Sequence, residues 1–387
     1  MNAVRGLPGL PGLPGLRAVW LCGLALLSAT GTAAATEPPP AAARAGHAPY
    51  ADVLPGSDLE FPRDHGSHDA FRTEWWYVTG WLRTAGGEEL GFQVTFFRTR
   101  PDIDTRNPSA FTPRQLIIGH AALSDPARGR LWKAQQIDRA GFGLAEAATG
   151  DTRLRLGRWR LERRGQRYDT TVQAEEFGFT LQLDRSQPPM LNGDRGFSQK
   201  GPAPLSASHY YSVPQLRVRG QIERGGRREA VTGEAWLDHE WSSAYLDAQA
   251  SGWDWIGINL EGGGALMAFR IRDAAGQTRW AAGSLRQPDG RQRSFGPRDI
   301  EFRPGRRWRS PRTGVEYPVE FRVRAGELEL ALQPLMDDQE SDTRGSTGAI
   351  YWEGAVRAFD AQAGGRRTLM GRGYLELTGY GTPLILP

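Results

Sequence analysis

Short stretches in which apolar and polar residues alternate recur along most of the chain, and they constrain its fold more than any other feature. Successive side chains of a β-strand point to opposite faces, so this pattern is typical of strands with one buried face. The 3.6-residue apolar period that predicts a helix is almost absent. The clearest examples are Leu90–Arg98, Phe179–Leu183, Leu216–Gly220, Val319–Val323 and Leu328–Leu332.

Glycine-rich turn signals separate these stretches. They include Gly86-Gly87, Gly225-Gly226, Asp289-Gly290 and Gly364-Gly365. Strands joined by such short turns pair as antiparallel hairpins and meanders. The sequence therefore predicts an all-β protein built from antiparallel β-barrels or sandwiches.

Two strand motifs occur twice, in the same order. Trp75–Leu82 aligns without gaps on Trp253–Leu260, and Gly233–Trp241 has a relative at Gly371–Tyr380. We therefore predict two tandem β-domains related by duplication, at 56–245 and 250–387. The alternative is one large sandwich in which the similarity arose by chance.

The N-terminus has the pattern of a cleavable secretory signal. Arg5 and Arg17 supply positive charge, an apolar stretch covers Ala18–Ala29, and Ala33–Ala35 offers a small-residue cleavage site. We predict a signal peptide over 1–35, cut after Ala35, and a periplasmic or secreted protein. The apolar stretch is too short for a membrane span; the alternative is a short anchor that stays uncleaved.

Composition narrows the function further. The single cysteine, Cys22, lies in the predicted signal peptide, so a mature chain would fold without disulfides. Residues 36–55 are rich in Pro and Ala and predict a linker. The formal charge is only +4 and the arginines are scattered, which gives no support for nucleic-acid binding.

Five motifs in order resemble one known family over nearly the whole mature chain. They are Phe61–His68, Thr73–Tyr77, His209–Pro214, Trp236–Trp241 and Gly252–Trp255. The chain resembles the carotenoid 1,2-hydratase (hydroxyneurosporene synthase)-like family, and within it the secreted AttH-like branch. The resemblance implies two lipocalin-like β-barrel domains. It also implies either cofactor-free hydration of isoprenoid double bonds or a role beside lipid-type ABC exporters.

Alternation divides the motif Gly233–Trp241 between two faces. His239 and Trp241 lie on its more apolar face and are expected inside the first barrel. Asp238 and Glu240 are then expected outside, or in the seam between the domains, in a supporting role. His239 either faces a ligand or is a core histidine bonded to a neighbouring backbone group.

Asp254 shares its face with Ile256 and Ile258. It is either a structural ion pair or a desolvated acid, whose raised pKa would let it donate a proton. In the second case Asp254 and His239 form the predicted catalytic pair, with His239 positioning the water. The ring faces of Trp241, Trp253 and Trp255 would then stabilise a substrate cation, by about 0.5–2 kcal/mol each.

The remaining candidates would complete a ligand site. Tyr210 and Tyr211 point to opposite faces, so one of the two hydroxyls can join the site, and we take that of Tyr211. At most one of Trp75 and Trp76 can line the barrel, and we take Trp76. Arg98 would either bind a substrate carboxylate or pair with Glu74, the supporting carboxylate. The loop His65–His68 has two histidines but no third nearby in sequence, so we predict that it closes over the first barrel and that the site holds no metal.

Two functions are compatible with these residues. The first is an exported, cofactor-independent hydratase for an apolar isoprenoid or lipid, with its site in the first barrel and at the domain junction. The second is a non-catalytic periplasmic carrier of a hydrophobic molecule that serves an ABC exporter. A desolvated acid beside His239 would favour the enzyme.

Overall fold

The computed structural model describes residues 49–103, 106–362 and 368–384. The predicted signal peptide and most of the linker lie outside the described residues, so both stay predictions. Within the described ranges the regular structure is almost entirely strand, with two 3₁₀ turns at Arg63–His65 and Glu261–Gly263. No helix in these ranges is long and apolar enough to cross a membrane.

The first sheet contains thirteen antiparallel strands. They are β1 (Thr73–Thr84), β2 (Glu89–Thr99), β3 (Leu116–Asp125), β4 (Arg130–Arg139), β5 (Ala145–Ala147), β6 (Arg153–Leu156), β7 (Trp159–Arg164), β8 (Arg167–Gln173), β9 (Phe177–Asp184), β10 (Met190–Leu191), β11 (Phe197–Gln199), β12 (Ala207–Arg224) and β13 (Arg227–Ala244).

This sheet curves into a nearly closed barrel. Its order is β4-β3-β2-β1-β13-β12-β9-β8-β7-β6-β5, with β10 and β11 on β12. The two end strands approach each other at the bridge between Ala140 and Ala145. The alternating residues of β9, Phe179, Leu181 and Leu183, are buried inside it, as their period of two predicts.

The second sheet follows with ten strands, accompanied by a separate two-stranded ribbon. The strands are β14 (Gly252–Leu260), β15 (Ala265–Arg272), β16 (Thr278–Arg286), β17 (Gln292–Phe295), β18 (Ile300–Pro304), β19 (Arg307–Arg309), β20 (Glu316–Pro318), β21 (Phe321–Ala325), β22 (Leu328–Pro334), β23 (Glu340–Thr343), β24 (Ala349–Asp360) and β25 (Leu369–Leu377). The ribbon is β19 with β20.

The two sheets share one strand order. The second runs β17-β16-β15-β14-β25-β24-β22-β21-β18, so in each sheet the first strand pairs with both the next strand and the last. The predicted all-β class with two antiparallel lipocalin-like barrels is confirmed. The boundaries at 245 and 250 stay predictions. The first sheet ends at Ala244 and the second begins at Gly252, while the described residues from 49 onward belong to one compact unit.

Each sheet encloses its own apolar core, and a third cluster lies between them. The third cluster joins outward-facing residues of β1, β12 and β13 to those of β14, β15, β24 and β25. Examples are Tyr77, Trp81 and Trp236 from the first sheet with Trp255 and Tyr374 from the second. The outer faces of the two barrels therefore pack together, and side chains that alternate away from a barrel interior are buried all the same.

Candidate active site between the two sheets

A cavity lies between the outer faces of the two sheets. We call it the inter-sheet cavity. Its charged and aromatic lining includes Trp75, Tyr77, Lys200, Tyr210, Asp238, Glu240, Tyr245, Trp253, Trp255, Phe269, Glu353 and Glu376. Because side chains alternate along each strand, the residues that point away from the two barrel interiors meet here.

The duplication gives this cavity matching halves. On the first sheet Tyr77 of β1 lies opposite Asp238 of β13. On the second, Trp255 of β14 lies opposite Glu376 of β25. Each half thus contributes an aromatic ring and a carboxyl at the same register position.

Aromatic rings form much of the wall. Trp75 stacks on Tyr245 with ring centroids 4.6 Å apart and on Trp253 at 6.4 Å. Tyr77 meets Trp255 edge to face at 5.4 Å. Such faces bind apolar molecules and attract positive charge.

Asp238 sits in the cavity wall, 2 % exposed. Its carboxyl accepts hydrogen bonds from Tyr210 Oη at 2.7 Å, Ser212 Oγ at 2.6 Å and Trp236 Nε1 at 2.7 Å. Burial raises the pKa of Asp238 to about 7, although the three donors act in the opposite direction. The group therefore changes charge near neutral pH.

Glu240 has a cationic partner. Lys200 Nζ lies 2.8 Å from its carboxylate, and Ser208 donates a further hydrogen bond. The ammonium of Lys200 also lies over the rings of Tyr210 and Phe269, at 4.7 and 4.1 Å. Burial lowers the pKa of Lys200, and Glu240 counteracts that effect.

Glu353 and Glu376 form a second carboxyl pair. They lie directly opposite each other on β24 and β25. Burial and the neighbouring Glu376 raise the pKa of Glu353 well above its ordinary value. Burial raises the pKa of Glu376 to about 8, with Asp238 and Glu240 adding to the effect and a hydrogen bond from Trp253 opposing it. One oxygen of Glu353 is buried without a hydrogen-bond partner of standard geometry among the described residues.

Four of the predicted site residues line this cavity. They are Asp238 and Glu240, for which the seam was one of two expected places, together with Trp253 and Trp255. Glu353, Glu376 and Lys200 were not among the predicted site residues, and of the two neighbouring tyrosines it is Tyr210, not Tyr211, that lines the cavity. The repeat held a signal for one of them, because Glu376 occupies in the second copy the position of Asp238 in the first.

The other predicted residues of the first barrel lie at its interior end, away from the inter-sheet cavity. Trp76, Tyr211, His239 and Trp241 are all at most 2 % exposed and pack on each other. Trp76 stacks on His239 at 4.4 Å, and Tyr211 meets the same imidazole edge to face at 5.3 Å. They fill this end of the barrel with their own side chains, and the inter-sheet cavity does not include them.

A hydrogen-bonded network ties these residues to the loop that precedes β1. His239 Nε2 lies 2.8 Å from Glu74 Oε1, and its Nδ1 lies 3.1 Å from the hydroxyl of Tyr211. The same hydroxyl contacts His65 Nδ1 at 2.8 Å. The imidazole of His68 stacks on Trp241 at 3.7 Å. The loop carrying both histidines therefore closes over this end of the barrel.

Arg98 and Glu74 form the salt bridge that was one of the two alternatives for them. Arg98 Nε lies 2.8 Å from Glu74 Oε2, and both side chains are fully buried. Nη2 of Arg98 donates to the carbonyls of His68 and Phe71, and Nη1 donates to the carbonyl of Phe71. The arginine thus fixes the loop, and each of its three guanidinium nitrogens has a partner within the protein.

His68, Glu74 and His239 bring three potential metal-ligand atoms within 4.8 Å of one another. The two imidazoles already contact Glu74 Oε1 at 2.7 and 2.8 Å. Ligands that share a tetrahedral zinc lie roughly 3.4 Å apart, given bonds of about 2.1 Å. Arg98 also neutralises Glu74, so an added cation would meet an arginine beside its carboxylate. These residues fit a hydrogen-bonded network better than a metal centre.

Asp254 does not join His239. Alternation was correct in placing it with Ile256 and Ile258, but that face lines the interior of the second barrel. There Asp254 lies opposite Leu377 and accepts from Arg270 at 2.6 Å and Arg272 at 2.9 Å. The structure therefore does not bring the predicted catalytic pair together, because Asp254 and His239 face the interiors of different barrels.

The fold and the cavity define a class of proteins: two-barrel lipocalin-like proteins with a carboxyl-lined cavity between the barrels. Within that class the chain belongs to the AttH-like family, whose model matches residues 52–380. The resemblance seen in the sequence motifs is thereby confirmed. No curated protein matches the chain.

Three solved structures share the fold. An AttH-type protein from Nitrosomonas europaea is 53 % identical, with a TM-score of 0.78 over 85 % of this chain and 99 % of that chain. Kievitone hydratase from Nectria haematococca is 14 % identical, with a TM-score of 0.64 over 86 % of this chain and 98 % of that chain. CghA with Sch210972 is 12 % identical, with a TM-score of 0.50 over 80 % and 89 %. The last two likenesses concern the fold alone.

Proposed function

We propose that this protein binds an apolar isoprenoid or lipid in the inter-sheet cavity and adds water across a carbon–carbon double bond by acid catalysis. One observation carries the proposal. Three carboxyl groups of this aromatic-walled cavity have raised pKa values, those of Asp238, Glu353 and Glu376. None of the three forms an ion pair with a described cation, whereas Glu240 is paired with Lys200.

Glu376 is suited to be the acid. With its pKa raised to about 8, it is mostly protonated at neutral pH, and a general acid works best when its pKa lies near the working pH. In the first step the π electrons of the alkene form a C–H bond with the carboxyl proton of Glu376. This leaves a carboxylate and a carbocation at the adjacent carbon.

Asp238 is suited to receive the second proton. A water lone pair forms the C–O bond to the cation, and the oxonium proton passes to the carboxylate of Asp238, which three donors stabilise. Transfer of that proton from Asp238 to Glu376 restores the starting state. The sum is alkene plus water giving alcohol, with no oxidant, reductant or cofactor consumed.

The cation would be stabilised by its surroundings. The rings of Trp253 and Trp255 line the same cavity as the two carboxyls, and an aromatic face stabilises a cation by about 0.5–2 kcal/mol. The fold shared with kievitone hydratase, whose name states a hydration, adds support for this reaction class. Fold alone does not fix chemistry, so the carboxyls carry the argument.

The test measures oxygen incorporation from heavy-oxygen water into candidate polyenes and prenyl lipids. We expect labelled alcohol with the wild-type protein and at least about a hundredfold less with Glu376→Gln or Asp238→Asn, which is the size of a general acid–base contribution. Glu301→Gln is the matched control, because Glu301 lies on β18 in exposed ion pairs with Arg303 and Arg324. Equal labelling in all variants would refute the assignment.

A carrier would use the same aromatic walls without the acid. Mass spectrometry of the purified protein therefore looks for a bound hydrophobic molecule, with Trp253→Ala expected to lose it and Trp308→Ala, on the separate ribbon, to retain it. If the purified protein contains a bound lipid that it does not convert, and no tested substrate takes up label, the non-catalytic carrier and its exporter partner are favoured.

A further inference from the structure

Exposed apolar side chains concentrate at one corner of the first barrel. Of the seven large hydrophobic residues exposed in the described ranges, four belong to it: Phe111 (67 % exposed), Ile137 (45 %), Phe142 (58 %) and Leu144 (38 %). The corner lies where the end strands β4 and β5 approach each other. With Arg139, these residues form what we call the aromatic corner.

The aromatic corner is an organised surface. Phe111 and Phe142 stack with centroids 5.5 Å apart and an interplanar angle of 6°. The guanidinium of Arg139 lies over both rings, at 5.0 and 4.5 Å, and donates to the carbonyl of Phe111 at 2.8 Å. Two segments distant in sequence are thus held together at the surface.

Phe142 occupies an unfavourable backbone position. Its φ is 53°, and it stands between Gly141 at 102° and Gly143 at 74°. A bulky side chain rarely adopts this left-handed region, and burial in the core does not compensate, because the ring is mostly exposed. The turn presents an aromatic ring outward at its tip, which suggests that the ring has a partner outside the chain.

Arginines outnumber carboxylates around this tip. Arg139 and Arg155 have neighbouring carboxylates in Asp138, which accepts from the backbone N–H of Arg139, and Glu146, opposite Arg155. No described carboxylate lies within ion-pair distance of either guanidinium or of that of Arg114, and Arg155 donates to the carbonyl of Gly143. The nearby Glu146 is already paired with Arg153 at 2.9 Å. The corner therefore combines protruding aromatic rings with arginines that have no anionic partner in the described chain.

We propose that the aromatic corner docks on an anionic lipid surface. Aromatic rings favour the boundary between headgroups and acyl chains, and arginines are attracted to anionic headgroups. A second copy of the chain suits the corner less well, since a twofold contact would bring two copies of the same arginine-containing patch together. The proposal is independent of the chemistry assigned to the inter-sheet cavity.

Vesicle sedimentation tests the proposal with the whole chain. Vesicles of phosphatidylcholine alone are compared with vesicles that also contain phosphatidylglycerol. We expect binding to the anionic vesicles, weakened by salt, and a loss of at least about tenfold in the Phe111→Ser/Phe142→Asn double variant. Asn tolerates the left-handed backbone, which protects the fold. Arg139→Gln should weaken binding by about fivefold, the equivalent of about 1 kcal/mol per arginine.

Leu205→Ser is the control, because Leu205 is also exposed, at 48 %, but lies outside the corner. It should bind vesicles like the wild type. Absence of binding to either vesicle, or equal binding by the double variant, would overturn the proposal. So would a dimer in analytical ultracentrifugation that the double variant abolishes, since the occupant would then be a second copy.

Discussion

Two buried aspartates of this protein have opposite surroundings. Asp254 is fully buried between the guanidinium groups of Arg270 and Arg272, and Tyr380 donates to it at 2.9 Å. Asp238 is almost as buried, but its donors are the neutral groups of Tyr210, Ser212 and Trp236. Two cations thus compensate the charge of the Asp254 carboxylate. Asp238 has no cation beside it, and burial raises its pKa to about 7 against its neutral donors, so it can exchange a proton near neutral pH.

The role of Asp254 leads to a stability prediction. Asp254→Asn leaves two buried guanidinium groups without a counter-charge, so we expect the free energy of unfolding to fall by about 3–5 kcal/mol. Urea denaturation measures the change. Asp247→Asn is the control, because the pair of Asp247 with Arg279 is partly exposed, and its loss should cost about 0–1 kcal/mol. A fully stable Asp254→Asn variant that loses water addition would restore Asp254 as the acid.

At the scale of elements, the strands and their faces could be predicted from the sequence. The period of two in β9 and β22 gave buried and exposed positions correctly, and the alternation in β13 separated His239 from Asp238. What alternation does not reveal is the partner of an outer face. Alternation left open whether Asp238 and Glu240 lie on the surface or in the seam between the barrels, and the structure shows that the second barrel covers them.

The repeat also carried more information than the comparison of its two copies drew out. The two copies differ where His239 is matched by Leu377 and Glu240 by Thr378, but both keep a carboxyl, Asp238 in the first and Glu376 in the second. Glu353 had no such signal. It reaches the cavity through the pairing of β24 with β25, which a sequence pattern does not specify.

The contact between elements of the two sheets can be tested at Gly91. An added Cβ on this β2 residue would lie 2.7 Å from both the Cβ of Ala355 and the hydroxyl of Tyr374, on the opposing sheet. We expect Gly91→Ala to lower the free energy of unfolding by about 1–3 kcal/mol, the cost typical of overpacking. Gly296→Ala is the matched control, since nothing lies within 4 Å of its added Cβ. Equal stabilities in urea would show that the sheets do not pack tightly at β2.

At the scale of the molecule, duplication brought two similar outer faces together. The inner face of each barrel is free to become core, and the two copies differ there: Trp76 and His239 face each other in the first barrel, whereas Asp254 and Leu377 occupy the same positions in the second. The outer faces, which meet at the inter-sheet cavity, instead carry carboxyls and aromatic rings from both copies. The protein therefore buries more ionisable groups in its middle than either barrel would alone.

Those buried groups determine how stability depends on pH. Folding raises the pKa of Asp238 to about 7 and of Glu376 to about 8, against about 4 for unfolded carboxyls. It lowers the pKa of several histidines, chiefly by burial, from 6.5 to about 3 or 4: His65, His120, His209 and His239. Below pH 6.5 the carboxyls and the histidines affect the pH dependence of stability in opposite directions, because the folded state holds extra protons on the carboxyls and lacks protons on the histidines.

As pH rises above 6.5 the unfolded state loses its histidine protons, and above about pH 7.5 these histidines are largely neutral in both states. The carboxyls with raised pKa values then remain protonated mainly in the folded state, and the raised pKa of His68 acts in the same direction. The folded state therefore binds more protons than the unfolded state, so the free energy of unfolding should fall as pH rises from about 7.5 to 8.5, by about 1.4 kcal/mol per pH unit for each proton held. Urea denaturation across this range should give a flatter profile for Glu376→Gln than for the wild type. Glu301→Gln should follow the wild type. A wild-type profile that stays level or rises over this range would mean that the carboxyls of the inter-sheet cavity are already ionised at neutral pH.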